Sequence, residues 1–190
     1  MQKKETTPVV RIATAGDEPE ILRLLLMMHK EGGLLSLDVD AAKDMFRFAF
    51  NRKGGLIGVI GAPNDIQGMI YLLITRFWYT RENHLEELFN YVRPDCRHSN
   101  YANTLITFAK KCADEIKIPL VIGVLSNQRT AAKVRLYRRS LGFPMGAFFV
   151  YGGNWPNESV ENTEDFWQKP FPAHTPRAQK RNGKADGASP

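Results

Sequence analysis

The chain has 190 residues, 43% hydrophobic and 24% charged, with a formal net charge of +6. That length suits one domain of about 150 residues plus tails, and no apolar run approaches the ~18 residues that cross a bilayer. Two cysteines, Cys96 and Cys112, cannot build a disulfide framework and read as reduced thiols of a cytoplasmic protein. No Cys/His cluster has metal-ligand spacing, so no metal is expected. The N-terminal MQKKETTP has no apolar segment behind it, so no signal peptide is expected. From Gly153 onward acids and bases balance, which puts the whole positive excess in residues 1–152. A basic globular body of this kind suits a polyanion, either nucleic acid or a phosphorylated cofactor.

Val9–Ala13 reads as a short strand. TAGDEPEILRLLLMMHKEGG then reads as a helix capped by Gly16 or Asp17, with Pro19 and acids in its first turn, His29 and Lys30 in its last, and Gly32-Gly33 as its stop. Ser36 or Asp38 opens a second helix, in which Met45, Phe46, Ala49 and Phe50 recur at helical spacing. Leu56–Ile60 and Gln67–Thr75 read as strands joined by GAPND, which has hairpin chemistry. Leu85–Val92 is a further strand. Leu105, Ile106, Phe108, Ala109 and Cys112 mark one face of a helix over Tyr101–Ile116. Leu120–Leu125 is a continuous apolar run, as in a strand buried on both faces. RTAAKVRLYRRSLGF is a last helix, stopped by Gly142, and MGAFFVYGG a last strand.

This order, βααββ followed by β–α–β–α–β, predicts an α/β fold with a mixed sheet and helices on both faces. The domain spans 1–152. Residues 153–190 form a C-terminal extension too rich in polar residues, Pro and Gly to order fully.

The stretch VRPDCRHSNYA stands where a strand hands over to a helix. Four backbone N–H groups lack partners at a helix start, and the dipole is positive there. A loop curling its amides toward that point makes an anion nest. Ser99, Asn100 and Ala102 are small or tolerate left-handed backbone, and Arg97 offers a forked donor suited to phosphate. The same residues also read as an ordinary strand–helix turn with Ser99 or Asn100 as N-cap.

Residues 92–106 read V-x-P-x-x-R-x-x-N-x-A-x-x-L-I. This resembles the acetyl-CoA-binding signature of the GNAT N-acetyltransferase superfamily, with Val92, Pro94, Arg97, Ala102, Leu105 and Ile106 in register. Downstream, Asn127, Ala131, Ala132, Leu136, Tyr137, Gly142 and Phe143 resemble a second segment of that family. Asn100 stands where the family has a glycine, and the helix around Tyr137 is longer than usual. The likeness covers roughly residues 9–152 and has the look of compact bacterial or phage-borne members.

The resemblance implies a central sheet splayed between its fourth and fifth strands, flanked by about four helices, with acetyl-CoA as co-substrate. Asn90, Tyr91 and Val92 would offer main-chain groups to the pantetheine arm. The amides of Arg97, His98, Ser99, Asn100, Tyr101 and Ala102 would hold the pyrophosphate, with Asn127 and Ala132 also at the cofactor. Tyr137 matches the position of the acid that protonates the leaving thiolate. Glu86 matches a base used by some members. Period-two alternation would put Glu86 on a face with Leu88 and Asn90 and send Glu87 to the other face, exposed or paired with a helix. A water chain, His84 or His98 are the other candidate bases.

Three function classes follow. One is N-acyl transfer, acetyl foremost, to an unidentified small-molecule or protein amine. The second is a non-catalytic CoA-binding or interaction module of the same shape. The third, nucleic-acid binding through the Arg129–Arg139 helix, is not expected, because its basic side chains lie all around the helix. No membrane partner is expected, and a homodimer is compatible with the sequence.

Overall fold

The computed structural model describes residues 8–125, 129–146 and 148. All lie in the first of the chain's two units, Met1–Val160. Strand β1 (Arg11–Ile12) leads through a 3-10 turn into α1 (Glu18–Gly32) and α2 (Val39–Phe50). Then come β2 (Gly55–Ala62), β3 (Asp65–Thr75), β4 (His84–Val92), α3 (Tyr101–Ile116), β5 (Leu120–Ile122) and α4 (Thr130–Leu141). The sheet order is β1-β2-β3-β4-β5. The first four strands pair antiparallel and β5 joins β4 in parallel. This is the expected mixed α/β sheet with four helices.

Asp17 does not cap α1 with its side chain. Its carboxylate, 1% exposed, takes two hydrogen bonds from the Arg11 guanidinium at 2.7 and 2.8 Å and one from the Thr14 amide at 2.9 Å. A buried carboxylate needs such a partner, so Asp17 ties the first strand to the first helix. Asp38 is the cap of α2, accepting from the Asp40 and Ala41 amides. The β2–β3 hairpin turns at Pro63-Asn64, with a register shift at Ile60/Gly61. Gly61 has φ +114, and a Cβ there would lie 2.2 Å from the Asp65 carbonyl oxygen. Only glycine fits both conditions.

One face of the sheet packs on α1 and α2 through Ile21, Leu24, Phe46, Met69, Tyr71 and Tyr91. The other packs on α3 through Ile70, Leu72, Leu85, Val92, Leu105 and Ala109. Because paired residues share a face, the register of β3 with β4 shows which way each β4 side chain points. Tyr71 pairs with Phe89 and Leu72 with Glu87, so Leu88 is an extra residue without a partner. A β-bulge of this kind bends its strand and interrupts pairing. The parallel ladder ends at the same point: β5 pairs with Leu85, Glu86 and Glu87 and no further.

The strand expected over Leu120–Leu125 therefore stops at Ile122. Beyond Glu87 the two strands part, and the outer edge of β4 over 88–92 has no strand partner among the described residues. The sheet is forked, as expected. The last strand expected over 145–153 lies mostly outside the described residues, and Met145, Gly146 and Phe148 are not in a strand. The extension 153–190 also lies outside them. No helix among the described residues is long and apolar enough to cross a membrane.

Candidate active site

β4 ends at the mouth of the fork, and the chain turns through Pro94–Cys96 into α3. The amides of Arg97 and Ser99 bond back to the Pro94 and Cys96 carbonyls, and the Tyr101 amide reaches Ser99 Oγ at 3.3 Å. The first bond of α3 runs from Thr104 to Asn100. The amides of His98, Asn100, Ala102 and Asn103 have no hydrogen-bond partner among the described residues. They lie in the turn and first helical residues where partial positive charge gathers. Asn100 sits at φ −85, so the residue in the family's glycine position does not use left-handed backbone, and a glycine's freedom is not required there.

Arg97 does something different from what its type suggests. Its guanidinium donates to Glu31 Oε2 at 2.5 Å and to the Val92 carbonyl at 3.0 Å, and lies 5.3 Å from the Tyr91 ring centroid. Tyr91 in turn donates to Glu31 Oε1 at 2.7 Å. The fork of Arg97 thus anchors the loop to the end of α1 instead of standing open to phosphate. Tyr101 is tied by its hydroxyl to Gln67 Oε1 at 2.8 Å. His98 is exposed, Ala132 lies in the first turn of α4, and Asn127 lies outside the described residues.

The bulge decides the rest. It puts Glu87 and Asn90 on the α3 face, while Glu86 and Phe89 face α1 and α2. The expectation that Glu86 shares a face with Asn90 is therefore corrected, and of the two expectations for Glu87, exposed or paired with a helix, the structure has the second, with the residue 8% exposed and facing Tyr137 of α4. Simple alternation fails because two residues of β4 oppose one of β3. Tyr137 donates to Glu87 Oε1 at 3.5 Å. Burial pushes the Glu87 carboxyl up to about 8, against the opposing pull of Tyr137 and Lys133. Burial, reinforced by Glu87, also raises the Tyr137 phenol above its ordinary value. Asn90 Oδ1 is buried without a hydrogen-bond partner, although a buried carbonyl is nearly always satisfied. An orphaned acceptor inside the fork suits a ligand that brings a donor, as the amide groups of pantetheine do.

Glu86 is 43% exposed at its side chain, and its Oε2 lies 3.7 Å from His84 Nε2. His84 is buried with its ring stacked on Phe77 at 4.3 Å, and its Nε2 makes no hydrogen bond. Two of the sequence-nominated bases are thus neighbours. On the α3 face, Asn100, Asn103, Lys110, Leu136, Arg139 and Ser140 contribute to the lining of a groove of about 430 Å³. It runs from the cradle between α3 and α4 and carries two cations, which suits the phosphorylated end of CoA. Among the described residues no cluster could hold a metal ion.

Sequence reasoning missed Glu87, Glu31 and Lys133. No residue type near Leu88 announces the bulge that turns Glu87 inward. Glu31 lies 66 positions from Arg97, and Lys133 reads as one cation in a basic helix.

Comparison with known proteins agrees with this geometry. The acetyltransferase (GNAT) family profile matches residues 23–143. An integron cassette protein from the mobile metagenome of Cole Harbour Salt Marsh superposes with a TM-score of 0.59 at 21% identity, over 77% of this chain and 90% of that one. AAC(6')-Iy, solved with the bisubstrate analogue CoA-S-monomethyl-acetylneamine, gives 0.61 at 10% identity, over 78% and 99%. The aminoglycoside 6'-N-acetyltransferase AAC(6')-IG of Acinetobacter haemolyticus gives 0.56 at 19%, over 77% and 97%. At these identities the superpositions speak for the fold. No curated protein gives a significant match. With the profile spanning most of the chain and the forked sheet behind it, the chain belongs to the GNAT acetyltransferase family.

Proposed function

We propose that the protein is an acyl-CoA-dependent N-acyltransferase that moves an acetyl group from acetyl-CoA to an amine by direct attack on the thioester. The observation that carries this reading is the fork. Its open edge, Leu88–Val92, leads to a turn with unpartnered amides at His98, Asn100, Ala102 and Asn103. The cradle would take the diphosphate, the α3–α4 groove the phosphorylated nucleoside, and the edge of β4 with Asn90 the pantetheine. A free N–H of that edge would polarise the thioester carbonyl, a form of stabilisation often worth several kcal/mol.

Tyr137 is the proposed acid and Glu86 the proposed base. They belong to opposite faces of β4, with the acid on the side where the thiolate leaves. Glu86, half exposed on the α1–α2 face, would receive the amine's proton. Arg97 has a positioning role, because its guanidinium is committed to Glu31 and Val92. The aminoglycoside acetyltransferases among the solved relatives make polyamine sugars the first acceptors to try.

The test is a thermal-shift titration with acetyl-CoA, followed by an amine panel read by release of free CoA thiol. Stabilisation by acetyl-CoA with turnover of at least one amine supports the reading. Stabilisation without turnover by any amine points to a CoA-binding module, and no stabilisation removes the reading altogether.

A further inference from the structure

We propose that Glu87 acts as a proton reservoir behind Tyr137, a buried carboxyl that returns a proton to the phenolate each time Tyr137 has protonated the departing thiolate. This rests on the acetyltransferase reading above.

The bulge at Leu88 brings Glu87 round to the face that carries Asn90. Glu87 is also the last residue of β4 paired with β5, opposite Ile122, so its carboxyl stands at the root of the fork. Tyr137 Oη lies 3.5 Å from Glu87 Oε1, long for a hydrogen bond but of the kind that tightens when substrate binds. The neighbours of Glu87 on β3 and β5 are Leu72 and Ile122, both apolar. The titratable and charged groups that act on it are Tyr137 and Lys133 of α4 and Glu86 of its own strand. Those that act on Lys133 are Arg97, Glu87, Glu31 and Arg129.

The proton count closes. An ammonium acceptor has three N–H protons and its amide product one. One of the two released goes to solvent by way of the base. The N–C bond forms, the C–S bond breaks, and the sulfur takes the Tyr137 proton to become free thiol. The phenolate then takes the proton of the Glu87 carboxyl. Glu87, left as carboxylate, regains a proton from solvent when the products leave and the fork is open. The second ammonium proton leaves the nitrogen by way of the same base to solvent as the C–S bond breaks, and the proton that Glu87 regains from solvent offsets it, so that one proton is released per turnover.

A reservoir solves a real difficulty. An ordinary phenol titrates near 10 and an ordinary thiol near 8.5, so proton transfer between them is already about thirtyfold uphill. Burial raises the Tyr137 phenol further. A carboxyl that stays protonated up to about 8 leaves a net transfer, from Glu87 to sulfur, that is close to level.

The experiment compares kcat against pH for wild type, Glu87→Gln, Glu87→Asp and Tyr137→Phe, with the Kd of acetyl-CoA measured for each by calorimetry. Wild type is expected to lose kcat above about pH 8 as the reservoir ionises. Glu87→Gln should lose at least tenfold in kcat at pH 7 and lack that alkaline limb, with Kd within twofold of wild type. Glu87→Asp should retain the limb and recover part of the rate. In a Tyr137→Phe background, Glu87→Gln should have no further effect. A Glu87→Gln enzyme with wild-type kcat and an intact limb overturns the relay and leaves acyl transfer standing. So does a Glu87→Gln effect of equal size with and without Tyr137. If Glu87→Gln fails to fold, a Glu87→Asp enzyme without the limb overturns it in the same way. A wild-type protein that binds acetyl-CoA and turns over no amine overturns both readings.

Discussion

Replacing Glu87 by Gln should make the protein more stable, and by an amount that grows with pH. The Glu87 carboxyl is 8% exposed, and burial holds it protonated up to about 8, against an ordinary 4.5. Its folded-state pKa is raised, so the stability it permits is fully present below 4.5 and is lost as pH rises through about 8. In that window the unfolded chain releases the proton and the folded chain keeps it. At 1.36 kcal/mol per pH unit, the loss is roughly 2 kcal/mol by pH 6 and nearer 5 by pH 9, a further decline of about 3 kcal/mol. For a domain of this size, about 2–4 °C per kcal/mol converts that into a fall in Tm of about 6–12 °C. Glutamine has nearly the same shape and does not ionise. Thermal melts of both proteins at pH 6 and pH 9, at matched ionic strength, should show the gap between them widening by that amount, because every other titrating group is common to both. Parallel Tm curves would mean that Glu87 ionises freely in the folded protein, and the reasoning from its burial would fail.

Tyr137→Phe should lower kcat by about 10²-fold or more while leaving acetyl-CoA affinity within a few-fold, since a general acid acts in the transition state; steady-state kinetics with calorimetry check this. Glu31→Gln removes the anionic partner shared by Arg97 and Tyr91 and should weaken acetyl-CoA binding several-fold by loosening the cradle, read by calorimetric Kd with the melting curve as control. Asp17→Asn takes the buried carboxylate away from the partly exposed Arg11 guanidinium and should cost about 1–3 kcal/mol in chemical denaturation. The Arg11 guanidinium holds the Asp17 carboxyl below its ordinary 3.8, so this contribution is present above that value and disappears as pH falls through the lower folded one. Gly61→Ala, at φ +114 with 2.2 Å to the Asp65 carbonyl oxygen, should destabilise by about 1–3 kcal/mol or more, measured by urea unfolding.

Much of this fold was legible because each element follows from local chemistry. Asp38 caps α2, Gly142 at φ +100 ends α4, and Leu105, Ile106 and Ala109 bury the face of α3 that their spacing describes. The handover from β4 to α3 was legible for the same reason, because a strand followed by a turn and a helix start leaves amides free.

What could not be read depends on pairing across the chain. Leu88 has nothing in its type to mark it as a bulge. Only its missing partner on β3 does so, and that single extra residue exchanges the faces of Glu86 and Glu87. The end of β5 at Ile122 follows from the same bend, since the apolar run continues to Leu125 but its partner strand has turned away. Arg97 looked like a phosphate donor because its neighbours in sequence are loop residues. Its partner is Glu31, at the far end of α1. Asp17 looked like a helix cap until Arg11 claimed its carboxylate.

On the proposed function, acetyl-CoA is held foremost by the amides at the mouth of the fork. Their hydrogen exchange can be followed residue by residue by NMR, with and without saturating acetyl-CoA. The prediction is slowed exchange at His98, Asn100, Ala102 and Asn103 and along the open edge of β4 over 88–92, with little change at Leu85–Glu87, where β5 already pairs. Unchanged exchange at those four amides, or protection gathered elsewhere on the sheet, would contradict it.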